Sequence, residues 1–258
     1  MISSGPQPQQ DAPAAVLRAT AGPHADTRLQ IILLQDELAR TPADADDDLL
    51  RLHHVLAANH DTLGEYHPAL HHANQELPLR RHIQGDHHPD TLLTRGNIAF
   101  LTGECGDPAG ALHLFRELLP NAMRVLGPDH SESLLTRGNI AHLTGECGDP
   151  AEGLHLLREL LPDRIRVLGP DHPDTLATRN NIAYWTGECG DPAGALRLAQ
   201  DLLPDQVRGL GPGHPYTLAT RNNIASWTER LSASTPRPEG TIEAEAPGNT
   251  GAQAESGR

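Results

Sequence analysis

The chain has 258 residues and a formal net charge of −14, with 34 Asp and Glu against 20 Lys and Arg. All 20 of those cations are arginine and no lysine occurs, which excludes a P-loop lysine, Schiff-base chemistry and a lysine general base. The acidic balance argues against nucleic acid, whose phosphates need a basic stripe, and favours solubility or a basic partner. The absence of lysine beside abundant Ala, Gly, Pro and Arg points to a GC-rich genome, read as actinobacterial.

At the N-terminus, Met1 to Thr20 has neither the basic start nor the apolar core of a secretory signal. The run Ile31 to Leu34 is far shorter than the roughly 20 residues a bilayer requires. A cytoplasmic protein with no membrane partner is therefore expected. Residues 1–24 are rich in Pro, Gln, Ser and Ala and should be disordered. Residues 25–45 read as a helix and an acidic linker. The helix, Ala25–Arg40, has an apolar face at Leu29, Ile32, Leu33 and Leu38. The aspartates between Asp44 and Asp48 place negative charge at the start of the next helix.

From residue 46 the text repeats. Passages beginning at His88, His130, His172 and His214 are copies set 42 residues apart, for example HPDTLLTRGNIAFLTGECGDP and HSESLLTRGNIAHLTGECGDP. Sliding back by 42 places Leu50 under Leu92, Gly64 under Gly106, Pro78 under Pro120 and Gly85 under Gly127. The array over 46–230 thus holds a degenerate unit (46–87), full units (88–129, 130–171, 172–213) and a half unit (214–230), followed by a disordered tail (231–258). A fixed period of this size means one supersecondary unit stacked on its own copies, each burying its neighbour's apolar face.

Each unit carries its own punctuation. In the unit at 172–213, His172-Pro173-Asp174 opens a first helix, with proline near its first position and an acid at its positive end. Leu176, Ile182, Ala183 and Trp185 keep helical spacing until Gly187 and Gly190 close the helix. Asp191-Pro192 opens a second helix with Ala195, Leu196, Ala199, Leu202, Leu203 and Val207 on its apolar face, ending at Gly211-Pro212. Pro78, Pro120, Pro162 and Pro204 recur inside the second helices. An interior proline removes a hydrogen bond at a cost of about 3 kcal/mol, so four in register mean a bend tolerated on the outer side.

The order Asn181-Ile182-Ala183, then Gly190, Asp191, Ala195 and Leu196, resembles the tetratricopeptide repeat (TPR). The 42-residue period and the phrase LGPDHPDTLATRNNIA are similar to the longer variant of kinesin light chains and of many actinobacterial repeat proteins, over residues 46–230. The resemblance implies an all-α fold, a TPR helical-hairpin solenoid wound as a right-handed superhelix with disordered termini. It implies small residues at the closest helix contacts, here Ala99, Ala111, Ala141, Gly153, Ala183 and Ala195. The chain departs from the family at Thr102, Thr144, Thr186 and Thr228, where an aromatic is usual. Such arrays act as non-catalytic protein–protein interaction scaffolds, or as the sensor array of a nucleotide-binding signalling ATPase, here detached from any nucleotide motif.

In the family, the asparagine before the large apolar residue holds an extended ligand's backbone, which assigns Asn97, Asn139, Asn181 and Asn223 to the groove. An amide offers donor and acceptor together. Phe100, His142 and Tyr184 follow three residues on and Glu104, Glu146 and Glu188 four further, on one helical face. Members that clamp a terminal carboxylate have basic residues one turn before the asparagine. Leu93, Leu135, Ala177 and Ala219 stand there, so a basic or neutral partner peptide is expected rather than an acidic one. The half unit is either a solvating cap or an apolar flank through which two copies dimerise.

Other candidates read as structural. Cys105, Cys147 and Cys189 sit in identical turns about one helix diameter, roughly 10 Å, apart, too far for a disulfide or a shared zinc. They are expected to be small buried thiols. Nine of the 16 histidines fall between His53 and His88 and read as a solvated face that gains charge in acid, not as a metal site. His88, His130, His172 and His214 read as caps, and Arg95, Arg137, Arg179 and Arg221 as inter-helix ion-pair donors. No nucleophile elbow, Walker sequence or dinucleotide fingerprint occurs; no catalytic residue and no cofactor is assigned.

Overall fold

The structure is a computed structural model and describes residues 24–234. Among the described residues it contains helices and turns and no strand. In chain order the helices are α1 (Ala25–Arg40), α2 (Asp46–Thr62), α3 (Tyr66–Gln84), α4 (Pro89–Glu104), α5 (Pro108–Val125), α6 (Ser131–Glu146), α7 (Pro150–Leu168), α8 (Pro173–Glu188), α9 (Pro192–Gly209) and α10 (Pro215–Ser234). Each packs chiefly on the helix before and the helix after it, as in a solenoid. The disorder expected at the two termini lies outside the described residues, except that α10 runs on to Ser234, past the boundary at 231.

Local chemistry sets the helix starts. First helices begin at His88, His130 and His172, each in extended conformation with its ring Nδ1 accepting the backbone N–H two residues on, at 3.1–3.2 Å. Second helices begin at Asp107, Asp149 and Asp191, whose Oδ1 accepts the N–H of Gly110, Glu152 and Gly194 before a proline-led first turn. The hairpin turn needs left-handed backbone, supplied by Gly106, Gly148 and Gly190 at φ 93°, 103° and 96°. Cys105, Cys147 and Cys189 cap the first helices one residue earlier. They are unpaired, but the last two are exposed rather than buried, because a helix C-cap faces outward into the turn.

The core is a ribbon that repeats every 42 residues. Leu118, Leu160 and Leu202 are buried at one register position and Phe115, Leu157 and Ala199 at another. Each full leucine burial contributes about 2 kcal/mol. Hairpins close where side chains vanish. A Cβ on Gly153 would sit 2.7 Å from the Ala141 carbonyl oxygen, and Ala99, Ala111, Ala183 and Ala195 are wholly buried. Trp185 fills the space above Gly145, and Trp227 the space above Gly187. The four prolines are exposed inside unbroken helices, so the lost hydrogen bonds face solvent. The threonines in place of family aromatics turn their hydroxyls onto Ile98, Ile140, Ile182 and Ile224 carbonyls.

Helix α1 corrects the sequence reading. Its buried residues are Ile31 and Leu34, packed on Leu52 and Leu56 of α2. Leu29, Ile32 and Leu33 are instead 54%, 62% and 61% exposed. The reason is register: Ile31 and Leu34 lie 42 residues before Ala73 and Glu76, buried positions of α3. So α1 takes the place of a second helix, with no first helix before it among the described residues. At the other end α10 takes the place of a first helix and is the last described element. Leu218 there is 45% exposed, whereas its counterparts Leu92, Leu134 and Leu176 are buried.

Candidate partner-binding groove

Helices α2, α4, α6, α8 and α10 are the first helices of successive units, and three recesses lie between them. Between α4 and α6 a recess of about 270 Å³ is lined by Phe100, Glu104, Asn139, His142 and Glu146, over a floor of Ala111 and Phe115. Between α2 and α4 a smaller one, about 120 Å³, is lined by His54, Asp61, Glu76, Asn97 and Phe100. Between α6 and α8 another of about 120 Å³ is lined by Asn139, His142, Arg164, Asp174, Asn181 and Tyr216. Phe100 is shared by the α2/α4 and α4/α6 recesses, and Asn139 and His142 by the α4/α6 and α6/α8 recesses, so the recesses form one continuous groove.

The sequence-assigned residues divide within it. Asn97, Asn139 and Asn181 line recesses, and their side-chain amides make no hydrogen bond to the described residues. Asn223 differs: its Nδ2 donates to Asn180 Oδ1 at 3.4 Å, in a buried cluster that also takes the Thr220 hydroxyl at 2.8 Å. Tyr184 packs edge-on against Trp185. Glu104 has no ion-pair partner, Glu146 faces the His142 ring nitrogen at 3.2 Å, and Glu188 is paired with Arg230 at 3.1 Å. The Arg230 guanidinium also lies 4.4 Å over the Trp227 ring. The last acidic position is thus filled by the chain's own arginine, Glu146 is met by the His142 ring, and Glu104 has no ion-pair partner among the described residues.

Two buried charges complete the groove floor and were missed in the sequence. Glu76 accepts from Thr94 at 2.9 Å, faces His54 Nδ1 at 3.2 Å and is paired with Arg80. Burial works to raise its carboxyl, but the bonds to His54, Arg80 and Thr94 together hold it below the usual range. The same contact raises His54. Arg164, one recess on, donates to the carbonyls of Leu134 and Asp174 and to Thr178, with no carboxylate in reach. Burial lowers its pKa, against the pull of Asp174. The clue lay in one register position, where Arg80, Ala122, Arg164 and Gln206 alternate.

The repeated arginines only partly pair across helices. Arg137 meets Asp163 and Arg179 meets Asp205, both at 2.8 Å. Arg95 finds Asn121 at the matching position, and Arg221 donates to the Pro212 carbonyl. The histidine-rich first unit is not a solvated face throughout: His67 and His71 are exposed, but His60 and His72 are buried. Among the described residues no group of three His, Cys, Asp or Glu side chains is arranged to hold a metal, and no helix is long and apolar enough to cross a membrane.

Residues 91–132, 133–174 and 175–216 each match the tetratricopeptide repeat family model. The array is built of tetratricopeptide repeats. Solved TPR-like structures share the fold. The kinesin light chain nearly identical TPR-like repeats of Podosopora anserina are 21% identical, with a TM-score of 0.58 over 72% of this chain and 88% of that one. BtubC (BKLC) of P. vanneervenii is 12% identical, with a TM-score of 0.54 over 88% and 97%. A Rap protein complexed with Competence and Sporulation Factor is 11% identical, with a TM-score of 0.54 over 81% and 60%. At these identities the likeness is one of fold. No curated protein matches the chain in sequence. The TPR matches keep the 42-residue register, so the groove is written on equivalent faces of successive repeats.

Proposed function

We propose that this TPR array is a protein-interaction scaffold that receives an extended, basic or neutral peptide segment of a partner protein along the groove. The observation that carries this reading is the row of amides at Asn97, Asn139 and Asn181, set in the recesses with no hydrogen-bond partner among the described residues. Amides at a repeat spacing of about 10 Å match every third residue of an extended chain, at about 3.3 Å per residue. The carboxylates of Glu104 and of Glu146, which faces only the His142 ring, favour cationic side chains, and Arg230 on Glu188 is an internal example of such a pair. A preformed groove loses little ordering entropy on binding. The Rap neighbour, solved complexed with Competence and Sporulation Factor, is a further precedent for ligand capture by this fold.

Affinity capture from native cytoplasm, comparing wild type with Asn139→Ala plus Asn181→Ala, tests the reading. Partners should be lost from the double variant while its thermal melting stays unchanged. An identical set of captured proteins from both would remove the groove from the account.

A further inference from the structure

Among the departures of the first unit from the full repeats, three are histidines that come together in the fold. His53 stands where the full repeats carry Arg95, Arg137 and Arg179. His60 replaces Thr102, Thr144 and Thr186, and His72 replaces Leu114, Leu156 and Leu198. Far apart in sequence, the three meet between α2 and α3. His53 Nδ1 lies 3.0 Å from His72 Nδ1, and the His60 ring stacks on His72 with centroids 5.6 Å apart and planes 13° from parallel.

This arrangement needs uncharged rings. Two Nδ1 atoms at 3.0 Å share a hydrogen bond only if one carries the proton and the other accepts it, so both rings cannot be cations. His60 Nδ1 is taken by Glu65 Oε2 at 2.6 Å, which leaves its Nε2 buried without a partner, like Asn59 Nδ2 beside it. A charge placed on His72 therefore meets imidazoles on three sides. The groups around the cluster are His53 and His60 from α2, His71 and Glu76 from α3, and Glu65 from the turn. From α4, Asp90 acts on His54 and on the neighbouring Arg80 rather than on these rings.

We propose that His53 and His72, packed against the His60 ring, form a proton-operated latch: neutral, they close the first hairpin, and protonated, they part α2 from α3. The first recess of the groove has His54, Ala57, Ala58 and Asp61 of α2 and Ala73 and Glu76 of α3 as two of its walls, so release of the latch opens that end. Burial, then the neighbouring imidazoles His53, His71 and His60, push His72 down to about 4. Burial and His71 lower His53 as well, with Glu76 opposing. Folded values below the ordinary 6.5 mean that the unfolded hairpin binds more protons. The latch is therefore fully closed above about pH 6.5 and weakens as pH falls toward 4. His54 runs the other way, since its bond to Glu76 raises it and acid strengthens that contact. The latch and His54 titrate in opposite senses.

Hydrogen exchange of the full chain in EDTA, expressed as protection factors from pH 7.5 to 5, tests the latch. The α2 and α3 amides should lose protection about tenfold relative to α6–α9. His72→Leu, the residue of the other repeats, should flatten that difference; should it fail to fold, His53→Gln serves the same end. Equal pH dependence in all the repeats, or an undiminished acid loss in the variant, would overturn the proposal. So would zinc at pH 7.5 raising α2 and α3 protection over EDTA, which would make the cluster a metal site.

Discussion

The unit at 46–87 and the unit at 130–171 fold the same hairpin and bury an arginine at one register position, Arg80 and Arg164, but fill the rest of it differently. Where the later unit buries Leu160, the first buries Glu76; where the later unit has Leu156, the first has His72. The later unit closes on glycine and tryptophan, through Gly145, Gly153 and Trp185. The first closes on a network of Glu76, Arg80, His54 and Thr94 beside the clustered imidazoles of His53, His60 and His72. A repeat backbone thus tolerates either an apolar or a polar filling, provided each filling is complete. An apolar filling is indifferent to pH, and a polar one is not.

Removing one member of the polar filling should have the largest effect. Glu76→Leu installs the residue of the other repeats but takes from the buried Arg80 its buried carboxylate, leaving it the half-exposed Asp90 at 3.2 Å, Gln84 and the His54 ring. A loss of about 3 kcal/mol in urea unfolding is expected. Adding Arg80→Ala, which reproduces Ala122 at the same register, should return stability to within about 1 kcal/mol of wild type. If the double variant is no better than the single one, the two fillings are not interchangeable.

The apolar filling should break at its glycines, and unequally. A Cβ on Gly145 would lie 2.6 Å from Trp185, whereas on Gly103 it would come no closer than 3.3 Å, to Ala111 Cβ. Gly145→Ala should therefore cost about 2 kcal/mol by overpacking. Gly103→Ala should be near neutral, because the helix propensity gain of about 1 kcal/mol offsets a mild contact. Calorimetric melting of the two variants makes the comparison. Trp185→Leu, matching Leu143, should relieve the damage of Gly145→Ala.

The same contrast explains what the sequence could and could not reveal. Caps at His130 and Asp149, the turn at Gly148 and the outward prolines are local signals, and all were readable. For α1, the sets Leu29-Ile32-Leu33 and Ile31-Leu34-Leu38 both satisfy helical spacing, so periodicity could not choose between them. Only the 42-residue register with α3 does. Arg164 and Tyr216 reach one recess from α7 and α10, two elements whose meeting no single-helix pattern displays. The histidine cluster was hidden for the same reason: His53 and His72 are 19 residues apart, and their contact exists only once the hairpin closes.

The smallest effect separates two adjacent asparagines. Asn180 is buried, and its Oδ1 accepts from the Thr220 hydroxyl and the Asn223 amide, joining α8 to α10. Asn180→Ala should cost about 1 kcal/mol, since it leaves the buried Thr220 hydroxyl without that acceptor. Asn181, one residue on, lines the groove with no side-chain hydrogen bond among the described residues, so Asn181→Ala should change stability by less than about 0.5 kcal/mol. Chemical denaturation of both variants reads the difference directly. A large loss from Asn181→Ala would mean that its amide serves the hairpin, and an amide spent there is no longer free for a ligand.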